Sequence, residues 1–447
     1  MKQVNNCVFC MNNIPFSMPD EIVEATINNK LVIFAGSGIS TEYKSLYPYT
    51  FYEDIALELG YDIKKTKITF SELMSELCKK PNGRRELLNK IKFRIDYIKS
   101  FQSLYIMATR FHKELSSIFP IKEIFTTNWD DFFEIECGAI PFVTSDDLAF
   151  WDIPKRKVYK IHGSVNNIGS IIATKEDYKK CYKNLKNNII GNHFRISLAT
   201  KVVVFVGYSF GDEDFNRIYS LLRGELGGIM PHSYIVTIDD NIKNKIDSNL
   251  VTPIITDGTY FIHSLKEALV KKGLLKDDSI DYIGSFMLDY ILYVHDKTTS
   301  KFKICEYPNV LYTFVYQDGI IDALQRFQKL KCTGDYHHKC EYYNKLRIYD
   351  GIRKEKVKLK KYVDVAYIDG YVKGLELLLI GDIKEMKYFP PYYIYGFKEE
   401  ITKFKDFKKI IKSKIIFHKS AFKHSKKIIS EMKISKGVVY QHTPFLY

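Results

Sequence analysis

Four short segments carry residue types that could do chemistry: Gly36-Ser37-Gly38-Ile39-Ser40, Thr126-Thr127-Asn128-Trp129-Asp130, Ile161-His162-Gly163 and Gly207-Tyr208-Ser209-Phe210. Gly36 and Gly38 close an apolar run, and glycines there let backbone N–H groups approach a pyrophosphate. The third glycine of the dehydrogenase fingerprint is missing, because Thr41 and Glu42 stand there. An ordinary hydride-transferring dehydrogenase is therefore disfavoured. Asn128 and Asp130 lie two apart, so on an extended strand end both side chains point the same way. An amide and a carboxylate so placed could hold a ribose or a carboxamide and position a water. The alternative is a helix cap opening the helix from Asp131 to Glu134. His162 offers an imidazole, the natural general base near neutral pH, although a single histidine taken alone is more often structural. Gly207 and Ser209 offer another close approach and a hydroxyl, while Asp212 and Asp214 could simply cap the helix that begins near Phe215.

The elements that must position these groups are legible around them. Leu31–Phe34, Ile121–Phe125 and Val202–Val206 are continuous apolar runs, as expected of parallel strands covered on both faces. Val158–Ile161 makes a shorter strand before His162. A doubly wound sheet gathers ligand groups at the carboxyl ends of its strands, so the four segments converge on one pocket. The fold class expected is α/β, a Rossmann-like doubly wound parallel sheet. Residues 53–120 read largely helical: Phe51–Gly60 ends at a glycine stop, and 85–117 shows apolar positions at helical spacing. They form an inserted helical layer.

Taken together, the order G-[AS]-G-x-S, T-x-N-x-D, H-G and a hydrophobic strand ending G-Y-S-F-x-D resembles the sirtuin superfamily. It is closest to the sirtuin-like proteins of bacterial anti-phage defence, including the type paired with a HerA-type ATPase. The resemblance runs from about residue 15 to 272 and includes the late strand Ser233–Asp239. It implies that Gly36, Ser37, Gly38 and Ser40 line the phosphates of NAD. Asn128 and Asp130 would sit by the nicotinamide and its ribose, and His162 would act as base at that ribose. Gly207 and Ser209 would hold the adenosine side, with Asp239 on the adenine ribose hydroxyls. Protein-deacylating sirtuins carry a zinc ribbon of two Cys-x-x-Cys pairs after the His-Gly segment, but Gly163 to Gly207 contains only Cys181. Four thiolates are what such a zinc requires, so no metal is expected there. The Pro-x-Phe-Arg sequence after the deacylase glycine loop is missing too. The implied activity is hydrolysis of NAD itself to nicotinamide and ADP-ribose. A non-enzymatic NAD or ADP-ribose sensor and an atypical deacylase or ADP-ribosyltransferase are the alternatives.

Composition frames the site. The chain has 447 residues, 46% hydrophobic and 27% charged, and a formal charge of +14, which suits two or three soluble domains. No apolar run is long enough to span a membrane, and the first residues lack the layout of a signal peptide, so a cytoplasmic protein is expected. Scattered cysteines stay reduced there. Cys7 and Cys10 have metal or redox spacing and, with Cys332, His337, His338 and Cys340, could form a zinc site, but ordinary thiols are the commoner explanation. A boundary falls near Lys271-Lys272-Gly273. Residues 15–272 are expected to form the catalytic domain. Residues 273–447 would be a regulatory, oligomerisation or partner-binding module, α+β or mixed because Val363–Gly370 reads as a strand. The lysines interleaved with Phe404, Phe407, Phe417 and Phe422 fit solvated helix faces better than nucleic-acid binding. The partners expected are NAD, other copies of the chain and a HerA-type ATPase, with no membrane.

Overall fold

The computed structural model describes residues 14–41, 46–62, 67–208, 224, 232–240, 242, 251–382, 384–431 and 440–445, except the side chains of Lys186, Glu385 and Met386. The chain divides into two compact units: Met1–Lys272 with Cys332–Gly334, and Gly273–Lys331 with Asp335–Tyr447.

The first unit is built on a seven-stranded sheet ordered β3-β4-β2-β1-β5-β6-β7. The strands are β1 (Leu31–Ala35), β2 (Glu123–Thr126), β3 (Ile140–Phe142), β4 (Lys157–Lys160), β5 (Val202–Val206), β6 (Ser233–Thr237) and β7 (Val251–Ile255). Every pairing is parallel. β1 lies in the middle, with β2 on one side and β5 on the other, so the chain reverses its direction of travel across the sheet there. That reversal opens a crevice at the carboxyl end of β1. Apolar residues on consecutive positions make β1 buried throughout, as a strand covered on both faces must be. On one face Phe34, Phe125, Phe205 and Phe194 form a ring-packed core, with Phe125 stacked on Tyr159 at 4.7 Å between centroids.

Helices follow from local signals. α1 (Asp20–Ile27) precedes β1, and α2 (Phe51–Glu58), α3 (Phe70–Cys78), α4 (Gly83–Ser100), α5 (Gln102–Ala108) and α6 (Arg110–Ser116) lie between β1 and β2. Thr50 with Glu53 and Thr69 with Glu72 make reciprocal capping boxes, which satisfy otherwise orphaned N–H groups. The inserted layer has its own core of Phe51, Leu73, Met74, Leu77, Leu87, Ile91 and Ile95. α7 (Phe132–Cys137) follows β2, α8 (Lys175–Asn187) and α9 (Ile189–Thr200) precede β5, and α10 (Gly258–Lys271) follows β7.

The second unit is helical in its described residues. It holds α11 (Ser279–Lys301), α12 (Val310–Leu330), α13 (Lys339–Lys358), α14 (Tyr362–Ile380), α15 (Phe404–Lys412) and α16 (Lys419–Glu431), with isolated bridges and no named strand. The α+β or mixed expectation is corrected here: Val363–Gly370 belongs to α14. A short apolar run fits a buried strand or a buried helix equally well, and this run is the start of a helix that is buried along most of its length. Phe407 is buried and Phe404 and Phe417 pack against the core of this unit, so these aromatics are engaged in packing while the lysines beside them face solvent. No helix among the described residues is long and apolar enough to cross a membrane.

Candidate active site

Five neighbouring strands deliver the predicted residues in spatial order. β2 pairs with β4 so that Thr126 stands opposite Lys160, and Asn128 and His162 each follow two residues later. Ala35 stands opposite Thr126 on one side and Val206 on the other, so Gly36 and Gly207 are the first residues past β1 and β5. Asp239 comes just past β6. Ser209 lies outside the described residues, as do Asp212 and Asp214.

The centre of this row is tied by hydrogen bonds. Asn128 Nδ2 donates to the Gly36 carbonyl at 3.2 Å and to Ser40 Oγ at 3.1 Å. Ser40 Oγ in turn donates to Asp130 Oδ2 at 3.0 Å. The second oxygen of Asp130 accepts the Phe132 N–H at 3.2 Å, so the cap expected at the start of α7 and the site carboxylate are the same group. Thr126 Oγ1 bonds the Ala35 carbonyl and accepts the Asn128 N–H. Asn128, Asp130, Ser40 and His162 are all buried. Asn128 Oδ1 is buried and has no hydrogen-bond partner among the described residues. An amide whose nitrogen is fixed and whose oxygen is left unpaired is ready for a donor from a ligand.

The glycine loop is locked onto the end of β5. Gly38 N–H donates to the Gly207 carbonyl at 3.0 Å, and Gly36 N–H donates to the Val206 carbonyl at 2.8 Å. Gly207 has φ +75°, and a Cβ there would come within 2.7 Å of the Gly36 carbonyl. Both the backbone conformation and the close approach therefore require glycine. Ser37 is half-buried and Gly38 exposed, which leaves that turn open to a ligand. His162 lies against the ring of Tyr178 on α8, 4.9 Å between centroids. Thus Gly163–Gly207, which lacks the cysteines of a ribbon, supplies α8 as the wall behind the histidine. Trp129 packs on Phe51 and Phe70, which joins the inserted layer to the Asn128–Asp130 turn.

Sequence reasoning passed over several residues. Tyr208, quoted in a motif but given no role, bonds Thr127 at 3.1 Å and the Ala35 carbonyl at 3.2 Å. Lys160 has a fully buried side chain and bonds the Asp130 carbonyl and Glu134 Oε1. The only sequence signal for it is a charged residue between Tyr159 and Ile161, next to the apolar pair Val158-Tyr159. Burial raises the Asp130 carboxyl above the usual aspartate range, against the opposing pull of Lys160, the Phe132 N–H and Ser40. Glu134 is raised for the same first reason. His112 on α6 is pushed down to about 3 by burial, with Lys160 and Lys113 adding to the effect, so it is neutral at working pH. Cys7 and Cys10 are outside the described residues, and among those described no group of three His, Cys, Asp or Glu could hold a metal ion.

The family model described as the SIR2-like domain matches residues 122–253, a stretch that holds Asn128, His162 and Gly207. That stretch is similar to the SIR2-like domain. Among curated relatives, the NAD(+) hydrolase ThsA of Enterococcus faecium is 30% identical over 233 residues, 50% of this chain and 46% of the relative. The protein of the same name from Bacillus cereus is 29% identical over 219 residues, 48% of this chain and 44% of its own. Defense-associated sirtuin 2 of Bacillus subtilis is 25% identical over 232 residues, covering 49% of this chain and 21% of that protein. The chain thus matches less than half the length of each of these relatives. The sirtuin-like resemblance read from the motifs agrees with these matches, and the parallel sheet agrees with the fold expected of the SIR2-like domain.

Proposed function

We propose that the SIR2-like domain hydrolyses NAD, breaking the bond between nicotinamide and C1′ of its ribose to give nicotinamide, ADP-ribose and a proton. The observation that carries this reading is the Asn128 side chain, anchored at Nδ2 with its buried Oδ1 unpaired among the described residues. Relatives named NAD(+) hydrolase are 29% to 30% identical over about half of the chain. In this reading the loop Gly36–Ser40, where Ser37 is half-buried and Gly38 exposed, receives the phosphates, and Gly207 lies toward the adenosine. Ser209 and Asp239 take the adenosine side.

The glycosidic bond breaks through a transition state in which positive charge develops on the ribose, so fixed acceptors around it lower the barrier. The Asp130 carboxylate, held by Ser40 and the Phe132 N–H, supplies negative potential beside the nicotinamide. Asn128 Oδ1 accepts a hydrogen from the water that attacks C1′. His162 takes the proton released, through the ribose hydroxyls or directly. A cytoplasmic enzyme of this kind lowers the NAD of an infected host, and residues 273–447 are assigned the control that such an activity requires.

The test is nicotinamide release from NAD by wild type, Asn128→Ala and His162→Ala. Each substitution is expected to slow release at least ~10²-fold, the scale of general-base and positioning effects. Wild type that binds NAD without releasing nicotinamide makes the domain a sensor. Variants that match the wild-type rate remove Asn128 and His162 from the mechanism.

A further inference from the structure

The Asp130 turn rests on a buried charge cluster that the proposed chemistry leaves unassigned. Lys160 ends β4, one strand away from the turn. Its ammonium sits beneath the turn, on the Asp130 main-chain carbonyl and, at 3.1 Å, on Glu134 Oε1 from the first turn of α7. The Lys160 side chain is fully buried, and Glu134 is nearly so. A buried ammonium is costly unless paired and hydrogen-bonded, and here its two partners are a carboxylate and the backbone of the residue that faces the ligand. We propose that Lys160 is a positioning residue for the NAD site: its ammonium fixes the Asn128–Asp130 turn and keeps the Asp130 side chain a carboxylate despite burial, while Glu134 sets how much of that charge Asp130 feels. The proposal rests on the NAD hydrolase reading for its consequence, but its electrostatic core does not.

The neighbourhood supports a specific role for Lys160. Asp130 faces Ser40 from the loop after β1, Lys160 from β4, and the Phe132 N–H and Glu134 from α7. Asp131, next in sequence, is occupied by Lys99 from α4 and Asn166. Arg94 of α4 lines the narrow slot beside Asp130 and Trp129, but its guanidinium donates to Asp54 at 2.7 Å and to the Tyr49 carbonyl. Tyr105 of α5 donates to Glu136, and His112 of α6 is neutral. Among the described residues, Lys160 is therefore the ammonium bonded to the Asn128–Asp130 turn, serving two carboxyl groups that burial drives toward the protonated form. Without it, two buried carboxylates would share one site, and like charges so placed raise the pKa of one of them. A neutral Asp130 would no longer supply negative potential to a ribose that is turning cationic.

The experiment uses the full chain with Lys160→Met, Lys160→Arg and Glu134→Gln, and two readouts. The first is kcat/KM for nicotinamide release as a function of pH. Lys160→Met is expected to move the acid limb upward by about 1–3 pH units, so that its deficit is about 10- to 10³-fold on the acid limb and narrows in alkali. Glu134→Gln should move the limb downward, and Lys160→Arg should stay close to wild type. Opposite shifts from the two partners are not what loss of packing produces. The second readout is the titration midpoint of Asp130 by 13C NMR on protein labelled at aspartate Cγ, the signal assigned by its loss in Asp130→Asn. It should rise in Lys160→Met and fall in Glu134→Gln. If Lys160→Met does not fold, Glu134→Gln carries both readouts alone. An unmoved Asp130 midpoint, or a deficit of the same size at every pH, overturns the proposal. A wild type that releases no nicotinamide overturns the hydrolase reading instead, and the Asp130 midpoints still decide the role of Lys160.

Discussion

At the scale of single residues the site depends on backbone approaches as much as on side chains. Gly207 is the clearest case, because its φ is +75° and its carbonyl accepts the Gly38 N–H. An alanine at this position pays the left-handed penalty of ~1–2 kcal/mol and drives a methyl toward the Gly36 carbonyl, 2.7 Å from an ideal Cβ. The loop that meets the phosphates must then shift. Gly207→Ala is expected to weaken NAD binding at least ~10-fold by calorimetry, an estimate from that penalty, while the circular dichroism of the sheet stays unchanged. Binding equal to wild type would show that the loop tolerates displacement.

At the scale of elements, the order of strands decides which loops meet, and a few polar ties hold the strands in place. Glu123 at the start of β2 accepts Ser197 Oγ at 2.9 Å and pairs with Lys201 at 2.7 Å, which fastens α9 to the strand that delivers Asn128. Burial by itself raises this carboxyl, yet the His193 and Lys201 contacts hold it at about 2. The folded state therefore releases the proton more readily than the unfolded chain. The tie contributes its full stability above the ordinary glutamate pKa and loses it as pH falls from there toward about 2. Glu123→Gln should cost about 2–3 kcal/mol at neutral pH by urea unfolding, with the difference from wild type disappearing near pH 2. A difference that persists in acid would assign the loss to packing.

At the scale of the whole molecule, two units have separate cores. In the second, α12 and α14 cross with almost no space between backbones: a Cβ on Gly319 would stand 2.1 Å from the Tyr367 carbonyl, and one on Gly370 would stand 1.9 Å from the Tyr316 carbonyl. Backbone cannot yield as a flexible side chain does, so the helices would have to separate. Gly370→Leu is expected to destabilise this unit by about 3 kcal/mol or more. Calorimetry should show a lowered transition for the second unit and an unmoved one for the sheet-bearing unit. A common shift of all transitions would mean that the two cores unfold as one.

The sequence by itself pointed to the parallel sheet, because Leu31–Phe34 and Val202–Val206 are short runs, apolar on consecutive positions and each closed by a glycine turn, as strands covered on both faces are. The helical character of the inserted segment was legible in its glycine stop and apolar spacing, and motif order singled out Gly36, Ser40, Asn128, Asp130, His162 and Gly207 as the candidate set. Three things were decided by tertiary structure. The stretch Val363–Gly370 is helical because its apolar continuation is buried against α12, which local pattern cannot distinguish from a strand. Ser40 links Asn128 to Asp130 across more than eighty positions, a juxtaposition made by strand order alone. Lys160 lies under the Asp130 turn because β4 is the neighbour of β2. Chain-distant pairs of this kind leave no spacing in the sequence, since the sheet fixes them through hydrogen bonding between strands far apart along the chain.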